Sequence, residues 1–157
     1  MKKQDERRIA YEILVNVERG AYANLALKEE LRKNPTAKAD FVTALVYTTL
    51  DHQITLDYYL KAFSTKRIPL TIRGLLRLGW AQMLYMNVPA RAAINESVSL
   101  CKSIGKVGMS GFVNGILRNI ERSELPIPTG TLVERLSVEY SYPPFLVDLF
   151  IQQWGEA

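Results

Sequence analysis

Asn114 and Arg118 stand four residues apart in the segment "SGFVNGILRNIER", residues 110–122. In a helix that spacing puts an amide and a guanidinium on one face, a turn apart. The amide brings a donor and an acceptor together, and arginine brings a planar, permanent cation suited to phosphate. Gly111 and Gly115 share another side of the same segment, and each costs up to ~1 kcal/mol against alanine in a helix interior. Glycines at that spacing let a second backbone approach, either a neighbouring helix or a nucleic-acid strand. This is chemistry for gripping rather than for breaking bonds. The same residues also have a purely structural use: glycines for tight packing, Asn114 capping a nearby helix end, and Arg118 paired with a carboxylate.

A second pair of cations, Arg73 and Arg77, is also one turn apart and projects from one helix face. Either arginine can meet phosphate or cap a carboxylate within a bundle. They lie in a stretch, Tyr58 to Asn95, with no Asp or Glu and six cations: Lys61, Lys66, Arg67, Arg73, Arg77 and Arg91. The overall charge is a modest +4, and residues 96–157 carry five basic against seven acidic side chains. A basic middle region reads as a phosphate-facing surface or as a set of solvated helix faces. Tyr47, Tyr59 and Phe63 fit an apolar stripe, Trp80 and Tyr85 fit a central helix, and Tyr58 is free to reach solvent.

Catalytic parts are missing. No glycine-rich phosphate loop follows a strand; Gly105, Gly108 and Gly111 join two helical segments. The single cysteine, Cys101, excludes an intrachain disulfide and a four-cysteine zinc site, and its register with Val98 and Ile104 makes it a core thiol. The single histidine, His52, follows Asp51 at a helix break, where a surface or capping role suits it. The longest uncharged run, Leu78 to Ala90, has 13 residues against the ~20 of a spanning helix. The amphipathic, mixed-charge start lacks the apolar core of a signal peptide. No catalytic, metal-binding or cofactor-binding residue is assigned, no membrane contact is expected, and a reducing, cytoplasmic setting fits best.

The elements that must position these side chains are helical throughout. The pattern predicts helices over 4–19, ended by Gly20; over 23–31, burying Leu25, Leu27 or Ala26, and Leu31; and over 39–63, capped by Thr36 and broken near Asp51. Further helices are predicted over 70–86, apolar nearly all round and hence central, over 92–104 and over 110–122. The prolines and glycine of "LPIPTG" form a linker, and two short helices follow in 131–154. The expected fold is an all-α helical bundle over residues 1–124, with 125–157 holding the linker and the start of a region leading elsewhere.

Four segments in order resemble the NusB-like RNA-binding family: "RRIAYEILVNVERGAYANLALKEEL", "DFVTALVYTTLDHQITLDYYL", "IRGLLRLGWAQMLYMNVPARAAINESVSLCKSIG" and "SGFVNGILRNI". Within that family, Arg118 at the end of the last signature, "YANLAL" after Gly20, and "EYSYPPFLVDLFIQQWGEA" resemble the N-terminal domain of the RsmB (Sun/Fmu) 16S ribosomal RNA cytosine-5 methyltransferases. The free-standing antitermination factors lack the last stretch. The resemblance implies an RNA-binding domain that positions 16S rRNA for a catalytic domain of its own polypeptide. That domain would bind S-adenosylmethionine on a Rossmann-like sheet and use two cysteines, and neither the sheet nor the cysteine pair is in this sequence. The resemblance implies RNA contacts from the arginine-rich first helix, Lys2, Lys3, Arg7 and Arg8; the residue types and spacings above add Arg73, Arg77, Asn114 and Arg118 to the expected contacts. A homodimer stays open, as do an antitermination role and a helical protein-docking role.

Overall fold

A computed structural model describes residues 5–64 and 66–155, with Ile120 described by its backbone alone. Lys2, Lys3 and Gln4 therefore lie outside the described residues. Those described form nine α-helices and one short 3-10 turn, and no strand. The all-α class and the central place of the helix after Pro69 are as the sequence predicts.

Helix α1 (Glu6–Glu18) starts where the Asp5 carboxylate accepts the Arg7 N–H at 3.0 Å. It ends in a paired closure: Gly20, at φ +110°, donates to the Val17 carbonyl and Ala21 to that of Asn16. Helix α2 (Ala23–Lys33) buries Leu27. Leu25, expected inside, is exposed. Helix α3 (Ala39–Asp51) is not capped by Thr36. Pro35 and Thr36 form a turn closed by the Ala37 N–H on the Asn34 carbonyl, and Lys38 precedes the helix, its N–H bound by Glu6 of α1 at 3.1 Å. His52 separates α3 from α4 (Gln53–Phe63), as its position at the break suggested. Its ring stacks on Tyr85 with centroids 3.6 Å apart. Tyr85 is thus a partly exposed lid rather than a core residue, and burial pushes its phenol up to about 12.

Helix α5 (Leu70–Tyr85) runs through the middle and packs on α1, α3, α4, α6 (Ala90–Ser103) and α7 (Ser110–Arg122). Leu75, Leu76, Leu78, Trp80 and Ala81 on it are buried. Two of its glycines mark close approaches. A β-carbon on Gly79 would sit 2.9 Å from Leu117 of α7 and from the Ser97 hydroxyl of α6, and one on Gly74 would sit 3.3 Å from the Tyr11 ring. Gly105, at φ +81°, turns the chain from α6 toward α7, passing through the 3-10 turn Val107–Met109.

After Arg122 the chain runs without regular structure to a capping box, Thr131 with Glu134, that opens α8 (Leu132–Tyr140). Helix α8 packs on α4, and α9 (Pro144–Trp154) packs on α8. Three hydrogen bonds stitch this arm to α4: Ile54 N–H to the Ser141 hydroxyl at 3.1 Å, Tyr58 hydroxyl to the Ile127 carbonyl at 3.2 Å, and Thr55 hydroxyl to the Val138 carbonyl. Tyr140, Phe145 and Trp154 remain largely exposed on it.

Candidate nucleic-acid interface

Helices α6 and α7 enclose an open groove of about 290 Å³ lined by Asn95, Val98, Ser99, Lys102, Asn114 and Arg118. The burial pattern explains why these residues face outward. On α6, Ala93, Ile94, Ser97, Leu100 and Cys101 turn to the core; on α7, Val113, Ile116 and Leu117 do. Asn95, Ser99 and Lys102 are left on the opposite face, at i, i+4 and i+7. The Arg118 Nε donates to Asn114 Oδ1 at 2.9 Å. That bond fixes the guanidinium over the groove. Among the described residues its two terminal nitrogens and the Asn114 amide nitrogen have no hydrogen bond, so donors remain for a ligand. Gly111 and Gly115 are exposed, and a β-carbon on either would meet nothing within 4 Å. No helix among the described residues packs on them; the close helix contacts are made by Gly74 and Gly79 instead.

The other predicted cations have separate fates. Arg7 is half-buried: its Nε donates to Gln82 Oε1 at 2.7 Å, and its guanidinium carbon lies 5.4 Å from the Phe41 ring centroid. Gln82 is itself buried and donates to the Leu78 carbonyl at 3.1 Å, which sets the angle of Arg7. Arg8 points outward and pairs with Glu12 at 3.2 Å. Arg73 lines a separate cleft at the α4–α5 corner, and its Nε is shut off from water without a hydrogen-bond partner.

Arg77 must be removed from the expected RNA surface. It is 6% exposed, its Nε and Nη2 hold both oxygens of Asp57 at 2.6 and 2.8 Å, and Nη1 holds Glu18 at 3.2 Å. Burial works against its charge, but the two carboxylates outweigh it and push the guanidinium up. The helical period placed Arg73 and Arg77 together. The all-round burial of α5 separates them, because one extra turn carries Arg77 between α1 and α4.

Asn95, Ser99 and Lys102 went unassigned at the level of sequence. Their signal was present as the polar complement of the stripe Ile94, Val98, Cys101 and Ile104. Cys101 is buried, its thiol 3.1 Å from the Lys106 carbonyl, and burial pushes it up from its ordinary value. Among the described residues no cluster of three or more His, Cys, Asp or Glu could hold a metal, and no helix is long and apolar enough to cross a membrane.

A family model described as "NusB family" matches residues 4–122. The chain belongs to the NusB family. Its NusB region carries both the groove and α1. Over its whole length the chain is 40% identical to the probable ribosomal RNA small subunit methyltransferase B of Bacillus subtilis (strain 168), yet it spans 36% of that protein. It is 31% identical to the transcription antitermination protein NusB of Lysinibacillus sphaericus (strain C3-41), covering 79% of this chain and all of that one. The NusB fold is seen also in a crystal structure of the antitermination factors NusB and NusE in complex with double-stranded RNA. That likeness has a TM-score of 0.70 at 22% identity, over 76% of this chain and 95% of the other.

Proposed function

We propose that this chain is an RNA-binding helical module of the methyltransferase B type, which holds 16S ribosomal RNA and presents a cytosine to a catalytic domain of the same polypeptide. The observation that carries the reading is the reach of the similarity. Likeness to the methyltransferase runs through α8 and α9, whereas the NusB match ends at residue 122. The exposed aromatic face of that arm suits a following domain, in keeping with residues 1–124 serving as the RNA-binding part and 125–157 as the lead into the next. Asn114 and Arg118 would contact the RNA, with Lys102, Ser99 and Asn95 beside them, Gly111 and Gly115 allowing the strand close, and Arg7 and Arg8 extending the cationic surface.

S-adenosylmethionine supplies the methyl group in such enzymes. The residues described here do not fit that cofactor: they contain no strand from which a nucleotide-binding sheet could be built. No step of the transfer is assigned to this chain. Its residues bind and orient RNA.

Fluorescence anisotropy with a 16S fragment tests the reading. The double change Asn114→Ala and Arg118→Ala should weaken binding at least tenfold while the helix content stays constant. Unchanged affinity, or no binding of the intact chain at low salt, would refute it. The antitermination reading has its own support, since the chain covers the whole length of one NusB protein. It predicts stronger binding to a leader RNA than to 16S RNA, and co-purification with a NusE-type protein.

A further inference from the structure

The α4–α5 corner, on the far side of Arg77, holds a cleft of about 460 Å³. Lys61, Lys66, Arg67 and Arg73 line it, with the Ser64 hydroxyl and the Asp57 carboxylate. Four cations face one anion, and that anion is already spent: both Asp57 oxygens are held by Arg77. None of the four cations forms an ion pair among the described residues.

The Arg73 Nε sharpens the case. A donor shut away from water without an acceptor is rare in folded proteins, and among the described residues this one has none. A shift that turned the Arg73 guanidinium toward a phosphate oxygen in the cleft would give that donor its acceptor. The first turn of α5 adds to the field. Pro69 precedes it without a side-chain cap, leaving N–H groups open at the positive end of a 16-residue helix.

We infer that the cleft is a phosphodiester site, a second foothold for the RNA backbone distinct from the α6–α7 groove. The inference rests on the RNA-binding reading above. The two sites differ in chemistry. The groove sets the amides of Asn95 and Asn114 and the Ser99 hydroxyl beside Lys102 and Arg118, so it can read base or ribose edges as well as hold phosphate. The cleft offers cations and one hydroxyl over Leu60 and Ile68, which serves charge and carries no sequence information.

The double change Lys61→Gln and Arg67→Gln tests it in the full chain, because both side chains are exposed and their loss leaves the core intact. The control is Arg32→Gln with Lys33→Gln on α2, which removes the same charge elsewhere. Affinity for a 16S fragment is measured across a salt series. Losing two phosphate contacts to a single strand should make the slope of log K against log salt shallower by about 1.4, with a smaller change in the control. Equal slopes for the two variants would overturn the site while leaving the RNA-binding reading standing. Failure of the intact chain to bind RNA would sink both. The Arg73 Nε–H resonance separates the sources of phosphate. It should shift on adding RNA at concentrations where inorganic phosphate leaves it still, and saturation by inorganic phosphate alone would make this a free-anion site instead.

Discussion

The ion triad of Arg77, Asp57 and Glu18 ties α5 to α4 and α1, and its two carboxylates are not equivalent. Asp57 makes two short bonds to the guanidinium, at 2.6 and 2.8 Å, and Glu18 one at 3.2 Å. The Arg77 side chain is 7% exposed, whereas those of Asp57 and Glu18 are 32% and 28% exposed. Asp57→Asn therefore strands a buried cation with a single longer partner. Breaking a buried pair costs about 3–5 kcal/mol, and the partial exposure of Asp57 puts this site at the lower end. With a urea dependence of about 2 kcal/mol per molar, a 3 kcal/mol loss moves the unfolding midpoint down by about 1.5 M. Glu18→Gln keeps the two-bond pair and a neutral acceptor, so it should cost no more than about 1 kcal/mol. Arg77→Met removes the charge but retains most of the volume, and it leaves carboxylates that water can reach, so it should fall between the two. Urea denaturation followed by circular dichroism ranks the three. A smaller effect for Asp57→Asn than for Glu18→Gln would refute the geometry. A folded Arg77→Met variant that lost RNA affinity tenfold would return Arg77 to the binding surface.

The glycines divide by what surrounds them. Gly79→Ala should destabilise by about 1–3 kcal/mol, since its new methyl meets Leu117 and Ser97 at 2.9 Å. Gly115→Ala, with open space around it, should stabilise by up to about 1 kcal/mol in the same melt and, if a strand lies there, weaken RNA binding. The contribution of Tyr85 to stability should be constant below pH 10 and decline from pH 10 toward 12: the folded phenol holds its proton to about 12, while the unfolded one releases it near 10 and drains the folded state. Tyr85→Phe should flatten that decline in melts taken across the range. Cys101 should react with a thiol reagent only as fast as the chain opens, so labelling in native buffer at the rate of a free thiol would contradict its burial.

Helices announced themselves where local chemistry suffices. Gly20 ends α1, Pro89 and Gly105 bracket α6, and the spacing of Val113, Ile116 and Leu117 gives the buried side of α7 correctly, whereas the Asp5 cap of α1 was passed over. The Asn114–Arg118 pair was legible for the same reason, because both partners share one turn. What escaped depends on neighbours far along the chain. Thr36 looked like a cap, yet Glu6, from 32 residues away, binds the N–H that precedes α3. Gly111 and Gly115 were open to a neighbouring helix or a nucleic-acid strand, and the tight helix contacts fall at Gly74 and Gly79 instead. Helix α5 has no polar side to show which of its faces meets a partner. Arg77 carries the same lesson. Its charge is plain in the sequence, but its two neutralising partners come from helices 20 and 59 residues away.

Helix α4 carries two attachments on one short rod. Thr55 and Tyr58 moor the arm that ends in α9, and Lys61 on the same rod lines the cationic cleft. An α-helix of 11 residues is about 16 Å long and bends little over that length. The direction in which α9 points is thus set from the cleft's own helix, not from α6 or α7. A domain joined to α9 would inherit a fixed bearing toward any strand seated in the cleft, and residues inserted between Arg122 and Leu125 would leave that alignment untouched.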